Sequence, residues 1–158
     1  MLTIDATSMD AMRAHAVEAF PEECCGVLFA TPDGPVVRRM TNIQNRLHAE
    51  DPATHTRDAR TAYQMDPREL LDVNRDGDQP GWRIVLFYHS HPMHDAYFSA
   101  TDKARALWGD PDDPDAEPSY PGVAYVVISV YDRVVRDAKA YAWDEAARDF
   151  REIAFGTA

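Results

Sequence analysis

The sequence predicts a single α/β domain over residues 1–158, in which helices flank a mixed β-sheet. Short apolar, β-rich segments alternate with segments that open on helix-capping residues. The length allows one hydrophobic core, and the chain shows no internal repeat, low-complexity block or linker. A composition of 45% hydrophobic and 27% charged residues is ordinary for a globular domain.

The N-terminal segment predicts a short strand followed by a helix. Leu2 and Ile4 alternate with polar neighbours, as residues of a strand do. Thr7, with an aspartate three residues later, resembles a capping box and is the expected start of the helix. Pro21 disfavours helix in the residue before it, so the helix should end near Phe20.

A hairpin is expected next. The apolar segment 25–30 and a second predicted strand, 36–43, flank a turn at 31–35, and this arrangement places Glu23 at the mouth of the hairpin. The stretch 44–60 is polar without a sustained period, and we predict a loop that covers a site.

The segment 66–108 predicts two helices and a buried strand. Asp66 caps a helix over 67–75. The apolar segment 82–88 is typical of a central strand, which delivers His89 at its end. A further helix should span 99–108, because Ser99 provides a second capping signal.

Two more strands are predicted at 123–130 and 134–143. The tail, 144–155, is ambiguous because it begins like a helix but alternates like an edge strand.

Charge and composition exclude several functions. The net charge of −11 opposes binding to nucleic acid, whose phosphates attract clustered Lys and Arg. No stretch approaches the roughly 20 apolar residues that cross a bilayer, and the first residues lack a basic region followed by an apolar block. We therefore expect a cytoplasmic protein that binds no membrane. The neighbouring Cys24 and Cys25 fit a reducing compartment, since adjacent cysteines pair only in strained geometry.

The segment after the central strand has the composition of a catalytic metal site. His89 and His91 are two residues apart and should point to the same side of a strand end. Asp102, at the start of the next helix, can complete one face of a metal ion. Three protein ligands leave a position for water, whereas structural zinc sites normally use four ligands and favour cysteine.

Each part of this pattern also has a purely structural interpretation. A single histidine near a strand end is usually just a polar residue at the surface, and Ser99 with Asp102 can form a capping box that has no catalytic role. The combination of His-x-His with Ser-x-x-Asp at this spacing is what makes the pattern specific.

The string HSHPMHDAYFSATD resembles the motif of the JAMM (MPN-plus) zinc metalloproteases, and PEECCGVL resembles the upstream segment of that family. The chain is most similar to compact prokaryotic members. This resemblance implies a cytidine-deaminase-like α/β fold and hydrolysis of a peptide or isopeptide bond beside ubiquitin-like proteins. It also implies one catalytic zinc ion held by His89, His91 and Asp102.

The resemblance further implies a role for two other residues. Ser99 matches the serine that helps to hold the oxyanion, and Glu23 matches the glutamate that activates the attacking water. Glu22 is the competing position, because a shift of one residue in the alignment would exchange the two glutamates.

Other candidates are weaker. His94 and Asp95 are expected to shape the rim of the site, and Cys25 to pack as a small apolar residue behind Glu23. Cys24 has no predicted role. His48-Ala49-Glu50 matches half of the zinc deaminase signature, but the chain has no Cys-x-x-Cys to complete it.

Two functions follow from the resemblance. The first is a metallopeptidase that acts at the C-terminus of a ubiquitin-like protein or of a sulfur carrier bearing an added cysteine. The second is a noncatalytic interaction module of the MPN type, which would typically lack the ligand set. The sequence does not choose between peptide and isopeptide bonds, and it indicates no oligomeric state.

Overall fold

Six strands form the central sheet of the computed structural model, which describes residues 1–158. The elements in chain order are β1 (Leu2–Ile4), α1 (Ala6–Ala19), β2 (Cys25–Thr31), β3 (Gly34–Met40), α2 (Gln44–Glu50), α3 (Pro67–Gly77), β4 (Arg83–Pro92), α4 (Ala100–Ala106), β5 (Leu107–Trp108), β6 (Glu117–Pro118), β7 (Ala124–Tyr131), β8 (Val134–Asp144), β9 (Asp149–Ile153) and β10 (Phe155–Thr157). The predicted α/β class with a mixed sheet is confirmed. No helix has both the length and the apolar content needed to cross a membrane.

The central sheet has the strand order β3-β2-β4-β7-β8-β9. Strands β4 and β7 are parallel, and every other neighbouring pair in this sheet is antiparallel. Two small sheets accompany it, formed by β1 with β10 and by β5 with β6. Strand β4 therefore lies inside the sheet and is hydrogen-bonded along both edges.

Both faces of the sheet are covered, which explains why β4 is continuously apolar. Successive residues of a strand point to opposite faces, and Leu86 and Phe87 accordingly belong to different core clusters. The cluster around Leu86 includes Met9 and Met12 of α1, whereas the cluster around Phe87 includes Val73 of α3.

The first helix begins earlier than predicted. Asp5, not Thr7, is its N-cap, because the Asp5 carboxylate accepts a 2.8 Å hydrogen bond from the backbone N–H of Ser8. An aspartate that precedes the first turn satisfies one of the free N–H groups at the helix start. The predicted end is right, since α1 stops at Ala19.

The predicted loop at 44–60 is wrong over its first seven residues, which form α2. The start of this helix is fixed by groups outside it. The side-chain oxygen of Asn42 accepts the backbone N–H of Gln44 at 3.0 Å, and the buried Gln44 amide donates to the carbonyl of Arg57 at 2.9 Å. Residues 51–66 then connect α2 to α3, and within them the carbonyl of Ala59 accepts a hydrogen bond from the backbone N–H of Glu23.

Strand β4 is longer than predicted. It continues through Pro92 because β7 pairs with it over its whole C-terminal half, including His91 opposite Ser129. The ambiguous tail forms strands β9 and β10, so the edge-strand interpretation is right and the helix is wrong.

Candidate metal centre and active site

Two histidine side chains converge on one face of β4. His89 and His91 are separated by one residue, so the pleat of the strand turns both imidazoles to the same side. Their Nε2 atoms lie 3.1 Å apart, and both residues are buried, with 1% and 6% of their surfaces exposed.

Asp102 reaches the same point from the start of α4. Its Oδ2 lies 3.3 Å from Nε2 of His89 and 3.4 Å from Nε2 of His91. A reciprocal capping box orients this carboxylate. The backbone N–H of Ser99 donates to Asp102 Oδ2 at 2.9 Å, and the backbone N–H of Asp102 donates to Ser99 Oγ at 3.0 Å. The capping box predicted from Ser-x-x-Asp is therefore present, and it directs the Asp102 carboxylate towards the two histidines.

This donor set fits a metal ion. Ligands bound tetrahedrally at 2.0–2.1 Å lie about 3.3 Å from one another, which matches the three separations between His89, His91 and Asp102. Nδ1 of His91 donates to the backbone carbonyl of Asp95 at 2.9 Å, and this bond leaves the lone pair on Nε2 available.

Glu23 approaches the histidines from the segment that precedes β2. It is 5% exposed, and its carboxylate joins His89 and His91 in a group whose ligand atoms all lie within 4.8 Å of one another. The two histidines thus form one group with Asp102 and another with Glu23, and the ligand atoms lie closer together in the group with Asp102. The backbone of Glu23 is fixed on both sides, because its N–H donates to Ala59 at 2.7 Å and its carbonyl accepts the Asn42 amide at 2.9 Å.

The electrostatics of the site favour a neutral His89 beside an ionised Asp102. Burial lowers the pKa of His89. Burial alone would raise the pKa of Asp102, but the imidazole of His89 and the surrounding hydrogen-bond donors outweigh it and hold this pKa well below the usual range. Burial also opposes the charged form of His91, yet its hydrogen bond with Asp102 raises its pKa overall.

Glu23 lies in a different electrostatic environment. Burial raises its pKa to about 8, against the lowering effect of His91. A carboxyl group with a pKa close to neutrality is suited to both accept and release a proton.

Sequence reasoning missed three residues that organise the site. Ser90 accepts the backbone N–H of Cys24 at 2.8 Å and so ties the Glu23 segment to β4. Tyr63 stacks on His89 with ring centroids 4.5 Å apart. Asn42 also donates to Ala62 at 3.2 Å and accepts from the backbone N–H of Gln64 at 3.1 Å. In the sequence, only the polar residues Ser90, between the two histidines, and Asn42, shortly after the segment of β3, could have signalled these roles.

Gly26 permits a close approach behind the site. A Cβ atom at this position would lie 2.4 Å from the ring of Tyr88, which only glycine avoids. The Tyr88 hydroxyl lies 2.8 Å from Nδ1 of His15 on α1.

The weaker candidates lie around or outside the centre. His94 lines the neighbouring cavity and is exposed, as is Glu22, which accepts a hydrogen bond from Asn45. His48 bonds to the carbonyl of His55 within the connection after α2. Both cysteines are buried free thiols, and Cys25 belongs to the core cluster that contains Phe87.

Two cavities meet at Asp102 and Arg105. One, of about 300 Å³, is lined by Glu23, His91 and Ser99 among others, and only two of its eleven lining residues are hydrophobic. The other, of about 410 Å³, is lined largely by aromatic and aliphatic side chains, including Trp108, of which 78% is exposed. The site thus offers a polar space on one side and an apolar space on the other.

The fold and the converging donors define a metal-binding α/β protein, and a comparison with protein families makes the class specific. The family model described as prokaryotic homologs of the JAB domain matches residues 5–144. The chain belongs to this family, so the JAMM resemblance predicted from the sequence is confirmed.

Curated proteins and solved structures are similar along most of the chain. A desampylase from Haloferax volcanii is 31% identical over 156 residues, which cover 96% of this chain and 93% of that protein. A CysO-cysteine peptidase from Mycobacterium tuberculosis is 33% identical over 141 residues, which cover 89% of this chain and 82% of that protein.

Two solution structures have the same fold over the whole chain. A protein from Desulfitobacterium hafniense has a TM-score of 0.68 at 25% identity and is covered over 93% of its length. A protein from Salinibacter ruber has a TM-score of 0.58 at 26% identity and is covered over 92% of its length.

Proposed function

We propose that this protein is a zinc-dependent metallopeptidase that hydrolyses a peptide or isopeptide bond at the C-terminus of a ubiquitin-like or sulfur-carrier protein. Its ligands are His89, His91 and Asp102, with Glu23 as general base and Ser99 as oxyanion donor. The observation that carries the proposal is the convergence of Asp102 Oδ2 on both histidine Nε2 atoms at 3.3 and 3.4 Å.

Asp102 is the third ligand and Glu23 is the base. The Asp102 carboxylate is oriented by the capping box and lies nearer to the histidines, whereas Glu23 comes from a separate segment across the site. Three ligands leave an open coordination position, which catalytic zinc sites retain. When bound, the ion lowers the pKa of water to roughly 7 and polarises the substrate carbonyl.

The remaining chemistry belongs to the side chains. Glu23 accepts a proton from the attacking water and delivers it to the nitrogen of the leaving amine. The Ser99 hydroxyl oxygen accepts the Asp102 N–H, and its own proton stays free to donate to the developing oxyanion. The histidines and Asp102 hold their positions without exchanging protons.

The substrate class is supported by the relatives, one a desampylase and the other a CysO-cysteine peptidase. The noncatalytic module is the weaker alternative, because such a module has no need of a buried, converging set of two histidines and two carboxylates.

The test is to incubate the zinc-loaded protein with a CysO–cysteine conjugate and to read the product masses. We expect release of free cysteine, no release after chelation, and recovery when zinc is restored. An intact conjugate together with absence of bound zinc would favour the interaction module.

A further inference from the structure

Two arginines line the polar cavity beside the proposed metal centre. Arg57 lies in the connection between α2 and α3, and Arg105 lies on α4, three residues after Asp102. Both side chains border the same space of about 300 Å³ as Glu23 and His91. A cavity of this size is at the small end of the roughly 300–1,000 Å³ range of ligand sites.

Neither guanidinium group has a carboxylate partner within the protein. The chain carries a net charge of −11, and most of its basic side chains pair with an acid, as Arg60 does with Asp58 at 2.9 Å. Arg57 and Arg105 form no such ion pair. The cavity therefore presents two free cationic groups on an otherwise acidic molecule.

Both arginines are attached to positions that the fold holds firmly. The carbonyl of Arg57 accepts a hydrogen bond from the buried Gln44 amide at 2.9 Å. The guanidinium carbon of Arg105 lies 5.6 Å from the centroid of Tyr63, the ring that stacks on His89. The Arg105 guanidinium group thus lies beside a ring that contacts His89, and the backbone that carries the exposed Arg57 side chain is anchored by a buried amide.

An anion would complete this arrangement, and the proposed reaction offers one. When the leaving group is a single amino acid joined through its α-nitrogen, its free carboxylate is separated from the scissile nitrogen by one carbon atom. When the leaving group is a lysine side chain, the scissile nitrogen carries only methylene groups nearby. Arginine is the residue best shaped to bind a carboxylate, because its planar fork donates two parallel hydrogen bonds.

We propose that Arg57 and Arg105 bind the free α-carboxylate of a single amino acid released from the carrier protein. The protein would then prefer a carrier–amino acid peptide bond over an isopeptide bond to lysine. This inference rests on the proposed function. It assigns the polar cavity to the leaving amino acid and leaves the apolar cavity on the other side of Asp102 unassigned.

The step balances as a hydrolysis. The oxygen of water forms a bond to the carbonyl carbon of the carrier's last residue, and the bond from that carbon to the α-nitrogen breaks. Glu23 transfers one water proton to the departing nitrogen. The products are a carrier that ends in a carboxylate and an amino acid whose own carboxylate stays with the arginines until release.

The experiment compares two CysO–cysteine conjugates that differ only at the end, one with a free carboxylate and one with a carboxamide. For the zinc-loaded protein we expect kcat/KM to be about tenfold or more higher for the carboxylate, the usual effect of a charge-assisted hydrogen bond. Arg57→Gln and Arg105→Gln should reduce this ratio towards one. Arg68→Gln removes the same charge from an exposed arginine outside the cavity and should keep the ratio. Equal rates for the unmodified protein, or an unchanged ratio in both arginine variants, would overturn the inference.

A binding measurement separates this inference from the proposed function. The zinc-free protein is titrated with Gly-Gly-Ala and with its carboxamide and followed by NMR, so that neither turnover nor a metal–carboxylate bond contributes. Tighter binding of the carboxylate that Arg57→Gln or Arg105→Gln weakens supports the site even if no conjugate is cleaved. Equal binding of both peptides contradicts it, even if the conjugate is hydrolysed.

Discussion

The buried hydroxyl oxygen of Ser90 accepts a hydrogen bond of 2.8 Å from the backbone N–H of Cys24. A second bond runs the other way, from the Ser90 N–H to the Cys24 carbonyl at 3.1 Å. Ser90 separates the two histidines and Cys24 follows Glu23, so this pair of bonds fixes the proposed base relative to the proposed ligands.

Replacing Ser90 with alanine should therefore reduce both stability and turnover. The Cys24 N–H would be buried without a partner, which costs about 1–3 kcal/mol of the free energy of unfolding. Zinc content should persist, because no ligand is removed. The measurements are denaturant unfolding and turnover of the conjugate. Ser8→Ala is the matched control, since Ser8 is also a buried serine, but its side chain bonds to Asp5 at the start of α1 and not to the Glu23 segment. A loss of turnover no larger than that of the control would refute this role.

Much of the site could be predicted because its signals are local. The His-x-His spacing follows from the two-residue period of a strand, and the Ser99–Asp102 pair is a helix-start signal of three-residue reach. Such patterns place side chains correctly without knowledge of the remaining fold.

The missed parts depend on contacts that are distant in sequence. Helix α2 has no side-chain cap of its own, and Asn42 and Arg57 supply its partners from outside. The tail becomes two strands because β8 and β1 accept them as neighbours. Its local pattern is equally compatible with a helix.

Removal of a proposed ligand should release the metal. Elemental analysis of the purified protein should find about one zinc ion per chain, and His89→Ala and His91→Ala should each lose most of it. His94→Ala is the control, because His94 lines the adjacent cavity without joining the converging donors, and it should keep its zinc. Full occupancy in both ligand variants would exclude this assignment.

Stability should depend on pH through His15. Burial, together with the charge of Arg39, lowers the pKa of this histidine to about 4 from an ordinary value near 6.5. As the pH falls from about 6.5 to 4, this histidine takes up a proton in the unfolded chain but not in the folded protein. Its contribution therefore lowers the free energy of unfolding progressively over this range. Below about pH 4 both states are protonated, and the free energy of unfolding falls no further through this residue.

The variant His15→Gln isolates this contribution. Its free energy of unfolding should fall less steeply than that of the unmodified protein between pH 6.5 and 4.5, because the other titrating groups are common to both. The comparison is made on zinc-free protein, so that loss of metal at low pH does not enter. Identical slopes would contradict the effect.

The central claim is that Glu23 is a general base and not a metal ligand. Glu23→Gln keeps the size of the side chain but cannot accept the proton of water at neutral pH. Glu22→Gln is the internal control, because Glu22 is exposed and bonds only to Asn45.

The most direct measurement is turnover of the CysO–cysteine conjugate by these two variants, with zinc determined on the same preparations. We predict that Glu23→Gln retains its zinc and fold and loses turnover by about 100-fold or more, whereas Glu22→Gln remains active. Loss of zinc from Glu23→Gln, or retention of its turnover while Glu22→Gln fails, would contradict the account.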